Sequence, residues 1–191
     1  MWRLTRAWPS LFVVLVLASG CGGGSPTSPS LASFVLDCRL PAFGAMTATL
    51  DGTPWIPFST RAWIPASRPA GLSLWASDCK DFLQIAIRDF KGVGTYDVAA
   101  GDVTADLKCD GDGCGLWFAA ASTDIFGKPT VIGSGSVTVT AYTPPTPGVE
   151  GSGAIEGIFA FTLVENTGLG GPIRTRVMTN GRFGTRFTVG F

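Results

Sequence analysis

The chain contains no histidine. That removes the side chain whose ordinary pKa lies nearest neutrality, the usual base partner of serine and cysteine nucleophiles, and the commonest zinc ligand. Lysine is confined to Lys80, Lys91, Lys108 and Lys128, so lysine-based catalysis has few candidates. Only 15% of residues are charged, with 14 basic side chains against 14 acidic ones. A nucleic-acid partner needs clustered positive charge to displace counterions from phosphates, and no such cluster exists here. Long apolar runs are also missing. The longest near the start, Leu11 to Ala18, falls well short of the roughly 20 residues a helix needs to cross a bilayer. No stretch repeats its apolar residues with the period of a helix.

What the chain has instead is 46% hydrophobic residues punctuated by 26 glycines and 13 prolines. Short apolar runs broken by turn formers favour strands. At 191 residues the chain suits one domain.

The first twenty residues read as an export signal, with Arg3 and Arg6, then the apolar run, then small residues before Cys21. Without those two arginines, twelve basic side chains face fourteen acidic ones. Leu17-Ala18-Ser19-Gly20-Cys21 resembles the bacterial lipobox. The resemblance implies cleavage before Cys21 and a diacylglyceryl thioether on its sulfur, with further acylation such as palmitate. Each buried methylene of such a chain contributes about 0.8 kcal/mol to membrane attachment, and two or three chains make a stable anchor. Gly22 to Ser30 carries no apolar side chain and reads as a tether, flexible at its glycines and stiffer at its prolines. Gly22 stands where an aspartate typically signals inner-membrane retention in lipoproteins, so the likeness implies the outer membrane in a two-membrane cell. The expected organisation is a signal peptide at 1–20, the lipidated cysteine and tether at 21–40, and one β domain at 41–191.

Four cysteines remain, Cys38, Cys79, Cys109 and Cys114. An even number in an exported chain predicts disulfides, with three possible connectivities. Cys109 and Cys114 enclose four turn-forming residues, so a local bridge there is the simplest choice, leaving Cys38 with Cys79. The longer bridge closes a loop for which chain entropy suggests roughly 3–4 kcal/mol. Asp102, Asp106, Asp110 and Asp112 place hard oxygen ligands close together, and Asp110 and Asp112 are weak calcium candidates. Calcium wants about six to eight oxygens, and the spacing is not that of an EF-hand loop. Asp-Gly-Asp-Gly reads first as a turn, and no metal or other cofactor is expected.

From Leu31 onward apolar and polar residues alternate. Met46 to Leu50 leads into Asp51-Gly52, a hairpin signal. Leu83, Ile85 and Ile87 share one face. So do Val137, Val139 and Ala141, and likewise Ile155, Phe159, Phe161 and Leu163. Pro144-Pro145 marks a loop. Asn180-Gly181, between Ile173–Thr179 and Arg182–Val189, predicts a second two-residue hairpin. The fold class expected is all-β, an antiparallel sandwich of nine or ten short strands, with a small barrel as alternative.

Several segments together resemble a family of secreted bacterial lipoproteins with a β-rich domain of unknown function: Thr47 to Trp55, Gly94-Thr95-Tyr96, Gly135 to Thr140, Ile155 to Phe161 and Thr179 to Phe183. The resemblance runs in order from Met46 to Phe191 and implies fold and location without supplying a catalytic residue. The cysteines and the insertion around Pro144 depart from it.

The function expected is therefore a membrane-tethered, non-catalytic binding or structural module of the envelope, with the bilayer as one partner and an envelope polysaccharide or protein as another. Trp55, Trp63, Trp75 and Trp117 are candidate ligand platforms, each a flat apolar ring with one polar edge. Arg61, Pro65 and Arg68 predict an exposed loop around Trp63. A carboxylate enzyme using Glu156 or Asp97, as in glycoside cleavage, is one alternative. A small outer-membrane barrel, suggested by the alternating final strand, is another.

Overall fold

The computed structural model describes residues 43–64, 71–109, 115–123, 129–165 and 173–188, all within a compact unit spanning Phe34–Phe191. Among these residues there is no helix, and 69% lie in strands. The strands are β1 (Gly44–Leu50), β2 (Thr53–Trp55), β3 (Ser59–Trp63), β4 (Leu72–Ser77), β5 (Asp81–Ile87), β6 (Gly94–Asp97), β7 (Val103–Cys109), β8 (Leu116–Thr123), β9 (Pro129–Ile132), β10 (Ser134–Thr143), β11 (Ala154–Glu165) and β12 (Thr175–Arg186). The signal segment, Cys21, Cys38, Cys114, Asp110 and Asp112 lie outside the described residues.

The all-β, antiparallel expectation is met by one strongly curled, half-barrel sheet. Its order is β2-β1-β12-β11-β8-β7-β5-β4-β3, with β10 between β11 and β6, and β9 on β8. Curling brings β3 back to the end of β12. Ala62 and Phe187 form a parallel bridge, and the Thr188 N–H donates to the Ala62 carbonyl at 2.8 Å. An edge strand that would otherwise expose unpaired ladder groups is thereby partly closed.

Inward-facing side chains alternate along every long strand. Leu72, Leu74, Leu83, Ile85, Ile87, Leu107, Val137, Val139, Ile155, Phe161, Leu163 and Met178 are almost completely buried. Each such side chain contributes roughly 1.5–3 kcal/mol by leaving water. The most regular part of this core pairs phenylalanine with glycine across the ladder: Gly135 opposes Phe161, Gly157 opposes Phe183, and Phe159 opposes Gly181. In each pair a Cβ on the glycine would lie 2.5 Å from an atom of the opposing ring. The missing side chain is the space the ring occupies.

Turn chemistry follows one of the two hairpin signals. Asp51 and Gly52 both have positive φ, 50° and 82°, and Leu50 pairs with Thr53, as a two-residue primed turn requires. Asn180-Gly181 does not form a hairpin. Residues 175–186 are one continuous strand, and Asn180, with φ 53°, is an extra residue where the register to β1 and β11 slips. The same positive-φ dipeptide that closes a hairpin also accommodates a bulge, and here the neighbours on both sides decide in favour of the bulge. A second bulge, between Val139 and Ala141 of β10, reverses the alternation there. Ala141 is consequently exposed, while Tyr142 packs edge-to-face on Phe90 and Phe187, at centroid distances of 4.9 and 5.9 Å. Beside them Tyr96 donates its hydroxyl to the Gly92 carbonyl at 2.8 Å and accepts from the Lys91 N–H, which ties the β5–β6 connection to the closed end of the core.

Candidate functional site

At the other end of the curled sheet the inward-facing positions change character. Continuing the alternation outward from Leu83 gives Asp81, from Leu163 gives Glu165, and from Met178 gives Arg176 and then Arg174. With Asp51 from the β1–β2 turn and Trp117 at the start of β8, these form an ionic rim around an indole. Arg176 Nε lies 2.8 Å from Asp51 Oδ2, and its Nη1 lies 3.7 Å from Asp81 Oδ1. Asp51 Oδ1 also accepts the Val177 N–H at 2.7 Å, so one carboxylate fixes both the turn and the arginine. Arg174 makes a two-pronged pair with Glu165, whose side chain is 7% exposed while that of Arg174 is 60% exposed. Both guanidinium carbons stand 5.8 Å from the Trp117 ring centroid. Stacking of this kind contributes about 0.5–2 kcal/mol depending on desolvation.

The charges of the rim are mutually held. Burial, with Asp78 nearby, pushes the Asp81 carboxyl above its ordinary range, and Arg176 and Lys80 oppose that shift. Trp117 keeps its indole Nε1 buried without a hydrogen-bond partner among the described residues. The group that points most freely into solvent is Arg174, whose remaining donors suit an oxygen-rich ligand. Among the described residues no three His, Cys, Asp or Glu side chains are placed to hold a metal ion.

The four candidate tryptophans separate. Trp55 is 4% exposed and belongs to the core. Trp117, at 8%, lines the rim from within. Trp63 and Trp75 share the outward face of β3 and β4, with ring centroids 4.3 Å apart and planes at 83°. Phe82 on β5 extends them into a diagonal ridge, 5.2 Å from Trp75. Trp63 is thus the last residue of a strand, paired with Ser73, and half-buried. The exposed loop expected around Trp63 is instead strand as far as Trp63, because β3 pairs with β4 and Ala62 also bridges Phe187, which is remote in sequence.

On the same face Gln84 and Asp106 stand side by side in the row Arg61, Trp75, Gln84, Asp106, Phe118. Burial among these neighbours raises the Asp106 carboxyl above its ordinary pKa, and Lys108 partly opposes it. A carboxyl that holds its proton more tightly when folded favours the fold in acid, and this contribution is lost as pH rises through the folded value. Asp106→Asn is therefore expected to raise the melting temperature at neutral pH and to change it little below the ordinary carboxylate range. Thermal unfolding at the two pH values checks this, and an equal effect at both would contradict it.

Glu156 and Asp97, the carboxylates considered for catalysis, are both exposed. Asp97 Oδ1 accepts the Ala99 N–H at 2.7 Å and so shapes the turn after β6. Glu156 borders a shallow open depression on the outward face together with Arg182, Thr140 and Gly184. Cys79, in the β4–β5 turn, and Cys109, opposite Asp81 at the end of β7, are both disulfide-bonded. The partners expected for them, Cys38 and Cys114, lie outside the described residues.

The rim was not read from the sequence. Its members come from five separate elements, and the usable signal was parity: charged residues standing at positions where the inward alternation of β5, β11 and β12 continues past its last apolar residue. Comparisons with protein-family models, with curated proteins and with solved structures find no match for the chain.

Proposed function

We propose that this chain is a lipoprotein of the bacterial cell envelope, held on its membrane by lipid on Cys21, whose β domain is a non-catalytic module that binds a polar envelope polymer. The observation that carries the binding reading is the change of inward-facing chemistry at one end of the sheet. Apolar side chains fill the interior along the strands, whereas Asp51, Asp81, Glu165, Arg174 and Arg176 converge with Trp117 at the rim. Ligand sites at the mouths of curled sheets follow this plan, with an apolar wall and a few convergent polar groups.

The outward faces of β1, β10 and β12 support a tether over a membrane-spanning barrel. Thr47 and Thr49 of β1, Ser136, Thr138 and Thr140 of β10, and Thr179, Arg182 and Arg186 of β12 make that surface polar. A barrel in lipid needs a continuous apolar band there.

Two measurements test the proposal. Cys21→Ser should abolish the acylated mass and move the protein from the membrane to the soluble fraction; an unchanged membrane-bound product would overturn the lipid anchor. The full chain in detergent micelles should be retained on purified envelope polysaccharide, and Arg174→Glu should release it. Failure of the parent protein to be retained by any envelope polysaccharide would overturn the binding reading.

A further inference from the structure

We propose that the outward face of β3, β4, β5 and β7 carries a second binding site, a strip on which the Trp63–Trp75–Phe82 ridge packs against the C–H faces of a neutral sugar chain while Arg61, Gln84 and Asp106 hydrogen-bond its hydroxyls. The strip lies on the opposite face of the sheet from the rim, so this inference goes beyond the tethered-binding reading and does not rest on it.

The apolar half of the strip is the ridge. An aromatic ring left in water on the outer face of a sheet is informative in a way that a scattered aliphatic residue is not. Trp75 is 36% exposed, whereas the outward positions of β1, β10 and β12 carry threonine, serine and arginine. Trp75 is also held in place. On β4 it stands between the outward-facing Ser73 and Ser77, whose ladder partners are Trp63 and Phe82. Each large ring thus rises over a small neighbour, which leaves the serines only 5% and 8% exposed. Both rings then meet Trp75 at steep angles, with centroids 4.3 and 5.2 Å away. A ridge fixed in this way loses little side-chain freedom when something packs on it.

The polar half is the ladder row through Trp75, with Arg61 on one side and Gln84, then Asp106, on the other. At about 4.8 Å between strands, the row from Arg61 to Asp106 measures about 14 Å, room for a short run of linked sugar rings. Among the described residues none of these three side chains has a hydrogen-bond partner. Arg61 is held instead by the Phe43 ring, whose centroid lies 5.5 Å from its guanidinium carbon. Burial raises the Asp106 carboxyl above its ordinary pKa. Such a carboxyl is poorly solvated already and gives up little hydration when a hydroxyl replaces water.

The mixture of groups selects the ligand. A sugar ring has apolar C–H faces and hydroxyls that both donate and accept, and the strip offers rings beside a donor in Arg61, an acceptor in Asp106 and both in Gln84. Arg61 and Asp106 are opposite in charge, so the row holds no attraction for a polyanion. A proline-rich peptide also suits an aromatic ridge, but its prolines have no N–H to give to Asp106.

The test uses the full chain in detergent micelles, with cellulose, amylose and mannan as neutral probes, insoluble for retention and as oligosaccharides for labelling. At least one should retain the parent protein, and Trp75→Ala should weaken that retention about tenfold, the factor that one lost aromatic contact corresponds to. Gln84→Ala and Asp106→Ala should each weaken it several-fold. In the parent protein, saturating oligosaccharide should protect Trp75 from hydroxyl-radical labelling several-fold, a readout that requires no variant to fold. Retention by none of the probes, glycan binding that leaves Trp75 labelling unchanged, or protection of Trp75 by polyproline and by no glycan would each overturn the proposal. So would a Trp75→Ala variant that is folded by circular dichroism and retained as well as the parent. Neither readout involves Cys21 or Arg174, so failure here leaves the tethered-binding reading standing.

Discussion

Phe161→Ala is expected to destabilise the domain by about 3–5 kcal/mol. Phe161 is 2% exposed and is among the largest fully buried side chains. Its ring lies 5.8 Å from that of Phe159 and fills the space that Gly135, its ladder partner, leaves open. Truncation removes the transfer free energy of a phenyl ring and also leaves a cavity that β10 cannot close, because the backbone of Gly135 is already held by the ladder. A urea or thermal titration of parent and variant measures the loss. A cost below about 1 kcal/mol would mean that the curled sheet collapses on the cavity far more readily than close-packed interiors do.

Gly157→Ala carries the second large effect, and its interest lies in what fails to rescue it. A Cβ at Gly157 would stand 2.4 Å from the Thr138 carbonyl oxygen and 2.5 Å from the Phe183 ring. The ring can be shortened, but the carbonyl belongs to the neighbouring strand. Overpacking of this kind costs about 1–3 kcal/mol, and Phe183→Leu in the same chain should not recover it. Gly181→Ala makes the contrast: its three nearest contacts are all atoms of the Phe159 ring, at 2.5 to 2.6 Å. There Phe159→Leu should recover part of the loss, so the double-mutant cycle should be strongly non-additive at 181/159 and nearly additive at 157/183. Equal coupling at both pairs would show that ring displacement, rather than the backbone, limits both sites.

These glycine–phenylalanine pairs bear on how far the chain could be read in advance. Gly157-Ile158-Phe159 alternates in one strand, and the inward set Ile155, Phe159, Phe161 and Leu163 is legible because strand side chains point to opposite faces in turn. That Phe159 faces Gly181, and Phe183 faces Gly157, is not legible, since it depends on a register shared between β11 and β12. Asn180-Gly181 illustrates the same limit. A dipeptide suited to positive φ marks a reversal or a bulge equally well, and only β1 and β11, pairing along both edges of β12, select the bulge.

The candidate site was less legible than the core. Of the tryptophans, the sequence could supply four flat rings but not the separation of Trp55 and Trp117, on the inward side, from Trp63 and Trp75, on the outward one. The rim arginines drew no attention because a charge two residues beyond the last apolar position of a strand looks, in one dimension, like an ordinary solvated end. Arg176 meets Asp51 only because β1 lies against β12, 125 residues apart in sequence.

From the sequence alone came the export signal as a reading, the β class, the faces of the long strands and the Asp51-Gly52 turn. All of these depend on local chemistry: the backbone preferences of a few neighbouring residues and the two-residue period of a strand. Tertiary structure alone decided the curl of the sheet, the return of β3 to Phe187, the bulges at Thr140 and Asn180, and the gathering of five ionic side chains around Trp117. Those depend on which strands lie side by side, and that choice is made by burying the inward faces together rather than by any single segment.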